Sequence, residues 1–283
     1  MKKKIEIIKL LRKLSQSKNT ALSMTNGLIE LNKKLGNPQT EIREVAGIIS
    51  KDPMLTASIL KVANSSYYGL AKQVSNVKQA VSVMGFSNVQ KFFTAKVMKH
   101  AFKFKSAELW DNLWKHSLAT AVASEVLSKK LKLKAEEIMF TAGILHDLGS
   151  FIIYSYLPKE TDEILERVRN DENHRLVLAE KEVIGISHQE VGGFFAKEWN
   201  FPEIMLDCIK QHHLITESKY KQYIGIVMLA NQISKALELG KSENQLVSPL
   251  PNWVWGMLHI KDSDFPDIVK NVHEHYNHII ELY

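Results

Sequence analysis

The sequence predicts an all-α protein, a multi-helix bundle, and three observations carry that reading. Apolar residues recur at three- and four-residue spacing through almost the whole chain, the period that lines one face of a helix. No stretch gives a convincing alternating-strand or hairpin pattern. The punctuation between apolar stretches is the kind that starts and stops helices.

In chain order, "MKKKIEIIKLLRKL" has the basic start of a signal peptide, but Lys9, Arg12 and Lys13 interrupt its apolar stretch and no small-residue cleavage site follows. It predicts an amphipathic helix. Asp52-Pro53 supplies an N-cap and a first-turn proline for "PMLTASILKVAN". "NSSYYGL" (64–70) reads as a turn anchored by Asn64 and Ser65. "SNVQ" (87–90) and "SHQE" (187–190) both fit the capping box, in which serine and a glutamine or glutamate satisfy each other's orphan amides. Gly36, Gly69, Gly149 and Gly240 stand where helices should stop, and Pro202 opens the helix carrying "EIMLDCIKQHH". Trp110 and Trp114, one turn apart, are expected to pack their helix; Trp253 and Trp255 are expected to dock the last helices onto the core. Polar residues replace the apolar stripe near "KFKSAE" (103–108) and around 214–222. A looser stretch, "GKSENQLVSPLPNW" (240–253), precedes the final helix.

At 283 residues, 45% hydrophobic and 24% charged, the chain has ample material for a core and the balance of an ordinary globular protein. Its single cysteine, Cys208, excludes an intramolecular disulfide and points to a reducing cytoplasm. No segment reads as the roughly 20 apolar residues a membrane span needs, and "IGIVMLA" (224–230) is a core-sized run. The net charge of +6 permits anionic partners without requiring them, because the lysines are spread along the chain.

The 11 histidines are informative in their placement. His116 shares a helical face with Leu113, Thr120 and Ala123, which should point inward. His146 and Asp147 end the apolar helix containing Ile138, Ala142 and Leu145. His188 falls in the first turn of a capped helix, and His212-His213 end a helix whose inner face carries Met205, Cys208 and Ile209. Six ionisable side chains from four helices can therefore converge on one interior. Imidazoles with a carboxylate are suitable ligands for iron, manganese, zinc or nickel, and such a set can polarise a phosphoryl oxygen. No cysteine pair competes for a zinc-finger reading.

These residues carry a family resemblance. The set His116, His146-Asp147, His188 and His212-His213 resembles the HD superfamily of metal-dependent phosphohydrolases. More specifically, "EVAGIISKDPMLTASILKVANSSYYGLAKQVSNVKQAVSVMGFSNVQKF" (44–92), "HSLATAVASEVL", "GILHDLGS" and "EVIGISHQEVGGFFAKEWNFPEIMLDCIKQHH" resemble the HDOD family, the HD-related output domain of bacterial signalling proteins. The match covers roughly residues 15 to 235. It implies an amino-terminal helical subdomain (13–105), an HD-like helical core (106–235) and a carboxyl-terminal helical extension (236–283).

Departures from the family of active enzymes bear on mechanism. The distant aspartate that completes the first metal site in active HD enzymes is matched by Asn231, whose neutral carbonyl is a weaker ligand. The HD-GYP phosphodiesterases, similar in the double histidine, have a lysine where Ser150 stands and a glutamate where Asn112 stands. Their glycine-tyrosine-proline loop is missing from "HHLITESKYK". The resemblance with these losses implies a non-catalytic signalling module that binds a protein partner and a small ligand or nucleotide. No receiver, kinase or cyclase pattern accompanies it, so its input is expected to arrive by binding. The alternative is a metal-dependent phosphohydrolase acting on a nucleotide or phosphoester, with Asp147 or His213 handling the proton. Nucleic acid is not an expected partner, since no arginine cluster marks a recognition helix.

Overall fold

The computed structural model describes residues 2–15, 30–31, 34, 37, 39–70, 72–133, 136–170, 176–215, 217–240 and 247–282. Every regular element among them is helical. The chain forms two compact units: residues 1–17 with 102–277, and residues 18–101 with 278–283. Residues 236–277 thus cluster with the unit that holds 106–235 and form no separate body.

In the smaller unit, α2 (Ile42–Ile49) and α3 (Pro53–Ala63) pack on α4 (Val77–Ala101). Asp52 caps α3 as expected, its carboxylate accepting the Leu55 amide at 3.1 Å. The turn after α3 is clasped by Asn64, whose side chain accepts from Val74 N at 2.7 Å and donates to Val74 O at 2.8 Å. One expectation fails here. The "SNVQ" box does not start a helix, because the break falls two residues earlier, at Gly85, whose φ of 72° and ψ of 160° only glycine adopts readily. Ser87 lies inside the helical run that follows. Gly36 lies outside the described residues.

The larger unit begins with α1 (Lys2–Ser15), which buries Ile7 and Leu11 in the amphipathic manner expected. Its centre is α5 (Ala107–Lys130), buried almost continuously from Leu113 to Ser128. Trp110 and Trp114 stack at 6.3 Å on its first turns. Against α5 lie α6 (Glu136–Leu145) and α12 (Lys221–Ala236). Thr120 of α5 donates to Ser234 of α12 at 3.3 Å, which fixes the register between them. Around this centre are α7 (Leu148–Tyr156), α8 (Pro158–Asn170), α9 (Leu176–Val183), α10 (His188–Glu198) and α11 (Glu203–Gln211). The last two helices are α13 (Asn252–Leu258), whose Trp253 ring lies over Gly225 of α12, and α14 (Phe265–Ile280). The "SHQE" capping box forms as read, with Ser187 and Glu190 reciprocally bonded.

Two further expectations are corrected. By length and composition Ile138–Tyr156, 19 residues of mean hydropathy 1.3, does reach the threshold for a membrane span. It is two consecutive core helices broken at His146-Asp147, and 89% of it is buried, which accounts for its apolarity. Gly149 is not a helix stop but sits in the first turn of α7. A Cβ there would fall 1.8 Å from the His188 carbonyl oxygen and 2.8 Å from Gly192 N. The residue is glycine because α10 crosses at backbone contact.

Gly149→Ala is therefore expected to destabilise the protein by roughly 3 kcal/mol, the upper range for overpacking. Gly256→Ala, in a helix of the same unit with nothing within 4 Å of the added atom, should be neutral or stabilising by up to about 1 kcal/mol. Urea titrations of the two variants side by side check this, and equal midpoints would refute the close-crossing argument.

Candidate metal centre

His146 and Asp147 occupy the two-residue turn between α6 and α7. Adjacent residues in a continuous helix point about 100° apart. The turn removes that restriction and aims both side chains at one interior. Asp147 stands at the N-cap of α7 yet makes no capping hydrogen bond, so its carboxylate is left to face imidazoles. The crossing at Gly149 brings in His188, the first residue of α10. Gln189 donates to Lys210 O at 3.1 Å and ties α10 to α11, whose C-terminus presents His212.

The carboxylate lies between two groups of imidazoles. Asp147 Oδ2 is 3.1 Å from His146 Nε2 and 3.9 Å from His116 Nε2. Asp147 Oδ1 is 3.4 Å from His212 Nε2 and 3.5 Å from His188 Nε2. Donor atoms bound about 2.1 Å from one ion stand about 3.0 Å apart at a right angle and about 3.4 Å apart at a tetrahedral angle. The spacing here is of that size. Two donor groups could each hold an ion, His116, His146 and Asp147 in one and Asp147, His188, His212 and His213 in the other, with ligand atoms within 4.8 Å of one another. His213 is the outlying member, partly exposed, its ring 4.2 Å from that of His212.

Three imidazoles are oriented from behind. His146 Nδ1 donates to Gly143 O at 2.7 Å, and His212 Nδ1 donates to Ile209 O at 2.9 Å. His188 Nδ1 donates to Glu180 Oε2 at 2.8 Å, and the same oxygen accepts the His188 backbone amide at 2.9 Å. Carbonyl and carboxylate oxygens only accept, so each Nδ1 carries the hydrogen and each Nε2 turns inward. Such outer partners fix the tautomer and orientation of metal-ligating histidines. As a result His188 Nε2 and His212 Nε2 face each other at 3.3 Å. Two lone pairs so placed repel unless a proton or a metal cation lies between them. Among the described residues, His116 finds no hydrogen bond at either nitrogen, His146 Nε2 finds none, and neither does the buried Asn231 Oδ1. Unsatisfied buried donors and acceptors call for an explanation, and a cation among them fits.

Two charged groups here escaped sequence reasoning. Glu180, wholly buried, supports His188 from α9. Lys235, one turn after Asn231 on α12, lines the same cavity as His116 and Asp147. The pattern "AEKEVIGISH" places Glu180 eight residues before His188, a spacing with no local signature. Ser150, where the family resemblance expects lysine, is buried with its hydroxyl unpartnered, and Asn112 is half-buried one turn before His116.

Burial dominates the ionisation of the site. It pushes the His116 imidazolium down to about 3, helped by His146, and pushes His212 down to about 4, although Asp147 opposes it. Burial likewise lowers His213. His188 goes the other way: burial opposes its charge, but the Glu180 carboxylate outweighs that and raises it. Burial would raise Asp147, but His146, His212 and His188 together hold it ionised, well below the usual carboxylate range.

The pH dependence of stability follows. His116, His212 and His213 bind protons more weakly folded than unfolded, so their contribution is complete above about pH 6.5 and is lost as pH falls below it. His188 contributes in the opposite sense, stabilising below about pH 6.5 and fading as pH rises through its folded value. With three groups against one, the metal-free protein should lose urea resistance between about pH 6.5 and about pH 4.5. His116→Gln should flatten the slope. A midpoint that does not move across this range would contradict the burial of neutral imidazoles.

The HDOD domain family matches residues 22–215. A solved HDOD domain protein of unknown function from Geobacter sulfurreducens is 26% identical, with a TM-score of 0.69 over 88% of this chain and 91% of its own. A protein from Marinobacter aquaeolei VT8 assigned to signal transduction is 16% identical, with a TM-score of 0.76 over 91% of this chain and 58% of its own. One from Shewanella amazonensis SB2B assigned as a phosphohydrolase is 23% identical, with a TM-score of 0.68 over 88% of each chain. At those identities the last two share the fold. Among curated proteins, an uncharacterized Treponema pallidum protein is 24% identical over 75% of this chain, and Bacillus subtilis YuxH is 25% identical over 49%. The chain spans only 41% and 32% of their lengths.

Proposed function

The chain belongs to the HDOD family, and from that premise we propose that it is a bacterial signal-transduction module that holds divalent metal and acts by binding a signalling partner. The observation that carries the metal half is Asp147, with one oxygen toward each group of imidazoles at ligand-to-ligand spacing. His116 and His146 would share one ion with it; His188, His212 and His213 would share the other. Nitrogen-rich sets with a carboxylate suit iron, manganese, zinc or nickel. When bound, such an ion polarises a phosphoryl oxygen and lowers the pKa of water.

The binding half rests on Asn231. Its neutral carbonyl is buried beside the cavity where a carboxylate would add negative charge and a firmer ligand. The cost of a weaker ligand falls on the metal activation that hydrolysis requires. A second reading, a metal-dependent phosphohydrolase, is favoured by one observation. A cavity of about 580 Å³ opens onto Asp147, His116 and His213. In that reading His213, partly exposed where it lines the cavity, is the better-placed proton acceptor, since Asp147 is engaged with imidazoles on both sides.

Elemental analysis of the purified protein should find metal that is lost in His146→Ala and His188→Ala. Glu180→Gln should keep the fold and weaken metal affinity by about 10- to 100-fold, the usual effect of removing an outer partner. Metal content unchanged in all three would end the proposal.

Cyclic-di-GMP should not be turned over with iron or manganese added. Product that disappears in Asp147→Ala would establish the second reading instead.

Asn231→Asp should lower the melting temperature of the stripped protein by burying a new charge, and should tighten divalent binding. Melting curves under metal titration compare the two proteins directly, and unchanged affinity would remove residue 231 from the site.

A further inference from the structure

The cavity beside the metal centre has a chemical character of its own. Its inner end carries Asn231, His116 and Asp147, together with Lys235, which makes no ion pair or hydrogen bond with any described residue. Its walls are Leu176, Val177 and Leu178 of α9, Leu214, Met228 and Leu250. No Phe, Tyr or Trp is among the described residues that line it. Leu178 and Leu214 are 50% and 72% exposed at the cavity, two large aliphatic side chains facing solvent. One wall comes from residues 248–251, held to α12 by the Ser248 amide donating to Gln232 Oε1 at 2.9 Å. A second cation, Lys181, stands at the rim on α9.

We infer that this cavity binds a small amphiphile, with an oxyanion head group, phosphate or carboxylate, at Lys235 and an aliphatic body along the leucine walls. The inference goes beyond the proposed function, adding a small ligand to a module proposed to hold metal and bind a signalling partner. Three features argue for it. A half-buried ammonium that feels the Asp147 carboxylate without forming an ion pair with it is costly unless an anion joins it. Concave sites of about 300–1,000 Å³ with apolar walls and a few converging polar groups are the usual form of small-molecule pockets. Away from the histidine end the described walls are aliphatic, and leucine and methionine there suit methylene chains better than a stacked nucleobase. An aliphatic body would also cover Leu178 and Leu214.

Calorimetric titration of the full chain, metal-loaded and chelator-stripped, with octyl phosphate, octanoate and guanosine monophosphate tests this, with metal content measured in parallel. At least one of the two alkyl anions should bind, and the tighter of them names the oxyanion. Lengthening its chain by one methylene should tighten binding about fourfold until the cavity is filled. Lys235→Gln should weaken it at least tenfold, as should Leu178→Asp, with metal content unchanged in the latter. Tighter binding of guanosine monophosphate, no dependence on chain length, or no effect of Lys235→Gln would overturn the inference. So would failure of both alkyl anions to bind a protein that retains its metal, which leaves the metal proposal standing. Binding of an alkyl anion to protein that takes up no metal would support this inference while removing the metal proposal.

Discussion

The site depends on two backbones meeting at Gly149 and Gly192. An atom added at Gly149 would lie 1.8 Å from the His188 carbonyl oxygen, far inside contact distance, and one added at Gly192 would lie 3.0 Å from Gly149 N. Only at that separation do the first turn of α7 and the first turn of α10 bring Asp147 within 3.5 Å of His188. A methyl group's extra width would carry α10 outward, and with it the Gln189–Lys210 tie to α11 that sets His212. Close-packed interiors transmit such shifts rather than absorb them.

What could be read from the sequence was local or repeated. The inward face of α5, the capping box of α10 and the amphipathic α1 each depend on residues a turn apart, and the histidines stood out because they recurred on such faces. The same locality misleads at "SNVQ", a short pattern that many segments satisfy, where a glycine two residues earlier had already broken the helix. Gly149 was legible as special but not in what way, since its reason lies 39 residues away in α10. Glu180, Lys235 and the bond from Ser248 to Gln232 were not legible at all. Each takes its meaning from a partner on another helix, and no residue spacing encodes a crossing angle.

The polar interior also sets how fold and ion are coupled. Glu180 is fully buried and Asp147 nearly so. Asp147 is tolerated because imidazoles surround it, and Glu180 because the His188 ring and backbone amide both donate to it; His146 and His212 are in turn held by carbonyls. The network closes on all sides but one: among the described residues, the inward nitrogens of His116, His146, His188 and His212 have only one another and a single carboxylate. A cation bound at that point would complete the network, and its binding energy would then be in part stability of the helix packing itself. A protein built this way would register the loss of such an ion as a loss of stability, whatever it does to a substrate.

The six donors all fall within residues 22–215, the part of the chain that matches the family. Asn231, Lys235 and the wall at 248–251 fall outside it. The family match thus speaks to the histidine half of the pocket and not to the other. The size, charge and greasiness of what the cavity admits are set largely by the α12 end and the segment after it. Kinship read from the matching part then says how such a protein is built and little about which molecule it answers to.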